Sequence, residues 1–148
     1  MRRSMQIEVD VPVEKAFEYL ADFEKRPEWT TGIIRVAKTS EGPIGVGTTF
    51  SVKGTGMNGT VTITEFAKNR RISFEGRVLG MRALNFMETA PLNGDTRITL
   101  GYQTRRGPLL LLPLWLCVEW VMLFFSPFMR PGESRMMRGL KERLESQK

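Results

Sequence analysis

The sequence predicts an α+β fold, with an antiparallel sheet covered by one long C-terminal segment. Three observations carry this expectation. A short alternating stretch near the start is followed by helical spacing. About six further stretches then alternate with period two and are joined by hairpin-length turns. The last strand runs into Gly107–Met129, an apolar stretch whose one charge is Glu119, and then a charged tail. An antiparallel sheet with one apolar face must cover it, and this segment is the natural cover. At 148 residues, with no linker and no internal repeat, residues 1–148 read as one domain.

The elements follow in order. Met5, Ile7, Val9 and Val11 alternate with polar residues, giving the first strand. Pro12 suits a helix start. In Val13–Ala21, the residues Val13, Ala16, Phe17 and Leu20 share a helical face. Asp22–Trp29 reads as a second short helix or turn, with Pro27 disfavouring helix at Arg26. Strands follow at Ile33–Thr39, Thr48–Gly54, Thr60–Phe66, Arg71–Val78, Arg82–Thr89 and Thr96–Thr104. Ile72, Phe74 and Val78 form the clearest apolar face, and Gly76 on that face suggests a bulge or a close backbone approach. Asn93-Gly94 supplies hairpin turn chemistry. Pro113, Pro127 and Pro131 break the final segment into a helix from about 113 to 125 and another from about 133 to 145. The long C-terminal helix is therefore expected to be kinked. Met136, Leu140 and Leu144 lie four apart on the second piece, and Gly139 permits close packing there.

Composition excludes several functions. The chain has no histidine, which removes Ser-His-Asp and Cys-His catalysis and histidine-ligated metals. Its single cysteine, Cys117, makes no internal disulfide. No metal and no cofactor are expected. The formal net charge of +6 is spread as basic pairs with no long basic block or nucleic-acid motif, so no nucleic-acid partner is expected. Gly42, Gly45 and Gly47 lack the Lys-Ser/Thr of a phosphate loop. The N-terminal residues include no apolar signal core, and a cytoplasmic location is expected.

With this order in place, the chain resembles the START-like superfamily, also called the helix-grip or polyketide cyclase/dehydrase-like family. The matching stretches are VDVPVEKAFEYLADF at Val9–Phe23 with Trp29 after it, EGPIGVGTTF at Glu41–Phe50, GDTRITL at Gly94–Leu100 and MMRGLKERLE at Met136–Glu145. The resemblance implies a curved antiparallel sheet of about seven strands gripping a long C-terminal helix. Two short helices after the first strand close one end, and a cavity lies between helix and sheet. Members bind lipids, sterols, polyketides or plant hormones, and a minority catalyse cyclisation or dehydration. The family has no universal catalytic residue, so none is assigned here.

The expected partner is an apolar or amphipathic small molecule. Candidate ligand-binding residues are Trp29 as a lid, Phe50, Phe74, Phe86 and Tyr102 on the strands, and Trp115, Glu119 and Trp120 on the apolar segment. Asn85, Glu88 and Gln103 are further polar candidates. Which strand residues face inward depends on register, because a one-residue slip reverses every side chain. Glu119 would anchor a ligand, serve a cyclase-type reaction as a buried acid, pair with an arginine on the sheet, or face solvent. Residues 109–129 barely reach the roughly 20 residues of a membrane span and contain Glu119 and two internal prolines, so a cavity wall is the preferred reading. The segment is apolar nearly all round. Its outer face therefore needs a second copy of the chain, a membrane surface or a ligand.

Overall fold

The computed structural model describes residues 2–55, 58–78, 81–104 and 134–147. The segment 105–133, with its expected helix and with Trp115, Glu119 and Trp120, lies outside the described residues.

Among the described residues, seven strands form one curved, open antiparallel sheet: β1 (Arg2–Val9), β2 (Ile33–Lys38), β3 (Thr49–Gly54), β4 (Asn58–Ala67), β5 (Arg71–Val78), β6 (Met81–Leu92) and β7 (Asp95–Thr104). Their order is β1-β7-β6-β5-β4-β3-β2. Strands β2 to β7 are a meander, and β1 pairs with β7 and closes the far side. Between β1 and β2 lie helix α1 (Val13–Ala21) and a 3-10 helix (Phe23–Glu28). The last helix, α2, is described over residues 134–146. This is the helix-grip arrangement. Among the described residues, no helix is long and apolar enough to cross a membrane.

Burial follows the sequence patterns closely on α1 and β5. Ala16, Phe17 and Leu20 are buried, and Tyr19 joins them. Ile72 and Phe74 point into the core. Met137, Leu140 and Leu144 of α2 belong to the same buried cluster as Ile63, Ile72 and Ile98 of the sheet. Leucines at i and i+4 share a helix face, so α2 lays one stripe onto the sheet. Among the described residues, a side chain at Gly139 would meet nothing nearby.

Glycine and proline account for the other departures. The irregularity in the central sheet lies in β4, between Ile63 and Glu65, and not at Gly76, whose surroundings would accept a Cβ. Tight approaches are instead at Gly59, where an added Cβ would collide with the Arg77 carbonyl, and at Gly101, where it would collide with the Phe86 ring. The hairpin turns at Asn93 (φ 49°) and Gly94 (φ 93°), both left-handed as a two-residue turn demands. Strand β6 continues through Pro91 to Leu92, because beyond Glu88 it has no β5 neighbour and is locally an edge.

The helices are also tied to both sides of the sheet. Glu24 of the 3-10 helix accepts a hydrogen bond from the Lys38 backbone N–H at 3.2 Å. Glu145 of α2 accepts one from the Asp10 N–H, just past β1, also at 3.2 Å. The buried Thr96 hydroxyl donates to the Val11 carbonyl at 2.8 Å, fixing the chain's exit from β1.

Candidate functional site

Register determines which strand residues can form a site. Met5, Leu100 and Met87 are successive cross-strand neighbours, as are Arg3, Tyr102, Asn85 and Phe74. Directly paired residues project to the same face, so these two rows share the inner face with the buried Met87 and Phe74. They form the floor of a cavity of about 320 Å³. Arg26 and Trp29 wall it on the side of the 3-10 helix, and Met136 of α2 lines its rim.

Trp29, Phe74 and Tyr102 come together here, as does Asn85. Phe50 also faces inward but is consumed by packing. It stacks on Phe23 with ring centroids 4.8 Å apart, and Phe23 meets Phe74 edge-on at 5.1 Å. Phe86 is a correction. It pairs with Ser73 and Gly101 on the opposite face, beneath the Arg71 guanidinium at 5.1 Å, and lines no part of this cavity. Glu88 is on that outer face too, bonded to Arg71 at 2.7 Å, and Gln103 is exposed there. The loop Glu41–Gly47 lies elsewhere: its Ile44 lines a separate open groove with α1 and the end of α2.

Arg26 is the residue that sequence reasoning passed over. The 3-10 helix includes it despite Pro27. Its guanidinium carbon lies 4.7 Å from the Phe74 ring centre, 5.2 Å from Phe23 and 5.3 Å from Trp29. The residue as a whole keeps some exposed surface, but its Nε is fully buried. Burial lowers the guanidinium pKa to about 10, because the charged form loses its water. Among the described residues, Arg26 Nε, Trp29 Nε1 and Thr30 Oγ1 are buried without a hydrogen-bond partner. The signal was present: Phe23, Arg26 and Trp29 are three apart, the period that eclipses side chains along a 3-10 helix.

Chemically, the chamber offers apolar walls, an aromatic-lined cation, the Tyr102 hydroxyl and the Asn85 amide, whose Nδ2 donates to the Ala83 carbonyl at 3.2 Å. Among the described residues, no cluster of three or more Asp, Glu, His or Cys could hold a metal ion.

Sheet, gripped helix and the partly open cavity between them together define a helix-grip fold. The chain belongs to the family described as polyketide cyclase / dehydrase and lipid transport, whose pattern matches residues 2–145. No curated protein sequence matches it. Among solved structures, TTHA0849 of Thermus thermophilus is similar at a TM-score of 0.73 and 13% identity, covering 99% of this chain and 98% of that one. The di-domain ARO/CYC StfQ of the steffimycin biosynthetic pathway is similar at 0.75 and 14%, covering 99% of this chain and 51% of that one. The Aha1 dimer of Colwellia psychrerythraea is similar at 0.60 and 13%, covering 98% and 96%. At such identities the likeness speaks for the fold.

Proposed function

We propose that this protein binds an apolar or amphipathic small molecule in the cavity between the sheet and α2. One observation carries the reading: the fold keeps about 320 Å³ open on the face where it buries its core, lined by Trp29, Phe74, Met87, Leu100 and Met136. Close packing is the norm for protein interiors, and a chamber this large is within the range of ligand sites. Apolar walls supply affinity through buried area, while Tyr102 and Asn85 supply orientation. Family membership supports the same class of function. Trp115, Glu119 and Trp120 remain proposed wall residues contributed by the apolar segment.

The test is titration of delipidated protein with the neutral dye N-phenylnaphthylamine, read by its fluorescence. Saturable binding is expected, weakened about tenfold or more by Met136→Trp, which fills the chamber from its half-buried rim. Absence of saturable binding would overturn the reading.

A further inference from the structure

Among the described residues, the chamber's polar end has a cation but no anion. Arg26 and Trp29 both line the cavity, and the Nε of one and Nε1 of the other are buried donors without a partner among those residues. No carboxylate among the described residues lines the chamber, and its other charged lining residue is a second cation, Arg3. Three aromatic rings hold the guanidinium in place. Ring faces attract a cation, but they accept none of its N–H bonds in the plane of the fork. A buried ion without a hydrogen-bonding counter-ion is costly, and the described groups around Arg26 leave that cost uncompensated. Burial is the cause of the lowered Arg26 pKa, consistent with a charge that no described neighbour neutralises.

We infer that the ligand is an amphipathic carboxylate, seated with its acidic head on the Arg26 guanidinium and the Trp29 indole N–H and its apolar body against Met87, Leu100 and Met136. This rests on the cavity reading above and adds the chemistry of one end of the ligand. A guanidinium fork matches a carboxylate in two parallel bonds, and the indole N–H donates a third. Aromatic contacts fix the fork before the ligand arrives, so little side-chain entropy is lost on binding.

The experiment compares decanoate with decanol as competitors for the neutral dye on the delipidated full chain. Decanoate is expected to compete at least about tenfold more strongly than decanol. Arg26→Met keeps the apolar bulk and is expected to remove that preference, weakening decanoate at least about tenfold more than decanol. Trp29→Phe, which keeps an aromatic wall but removes the N–H, should lower decanoate affinity severalfold more than it lowers decanol affinity. Arg26→Lys, which retains charge without the fork, serves as a second variant and should keep part of the preference. If the dye binds but decanoate competes no better than decanol, the carboxylate inference is overturned and the cavity reading stands. Equal weakening of both competitors by a folded Arg26→Met protein also overturns it. If the dye does not bind at all, the cavity reading fails first.

Discussion

Tyr19 shows how much a single side chain can hold at the joint between α1 and the 3-10 helix. It is buried, and its hydroxyl donates to Glu28 Oε2 at 2.8 Å. Burial, and after it the bond to Glu28, keep the phenol neutral and push its pKa well above the usual value of about 10. The folded pKa is the higher one, so the unfolded chain releases this proton first. The stabilisation is therefore complete below about pH 10 and fades as pH rises beyond it. Tyr19→Phe should cost about 1 kcal/mol near neutral pH, seen as a lower denaturation midpoint. It should also remove a late-ionising phenol from the ultraviolet titration; a late-ionising phenol that survives the substitution would contradict this. The same scale explains what was legible in the sequence. Phe74 was, because its strand alternates cleanly between apolar and polar residues. Phe86 was not, because alternation on β6 leaves the inner face ambiguous between Phe86 and its neighbours Asn85 and Met87. Gly101 resolves it: the ring lies across a position with no side chain. Arg26 was not legible because a charge before proline reads as a solvated turn. It becomes a site only when the 3-10 period places it between Phe23 and Trp29.

Elements were read more reliably than individual residues. The seven strands and α1 lie within a few residues of where periodicity puts them, because alternation and turn chemistry agree locally. Strand ends are where the two diverge: β6 extends through Pro91 because its neighbour has already ended. Helix α2 contributes Met136 to the chamber. Leu140 is fully buried and Leu144 nearly so, while Met136 at the same helix's start lines the cavity. Leu140→Ala should destabilise the protein by roughly 3 kcal/mol, checked by chemical denaturation. Below the denaturation threshold it should also weaken dye binding, since the stripe that seats α2 also positions Met136. Unchanged dye affinity in the folded variant would show that the rim is held from elsewhere.

For the whole molecule, an open sheet is a liability, and this one ends in β1 on one side and β2 on the other. Unpaired strand edges invite further strands from other chains. Here each side has a backbone amide already taken by a helix carboxylate, the Lys38 N–H by Glu24 and, just past β1, the Asp10 N–H by Glu145. At its other end, β2 is also irregular between Ile33 and Arg35, and Arg35 is exposed. The two helices that frame the chamber thus also act as bumpers against polymerisation. Glu24→Ala should leave dye binding intact while raising concentration-dependent association, measured by light scattering of the folded protein. The exposed Ile34 on the same edge would then become the first point at which two sheets join.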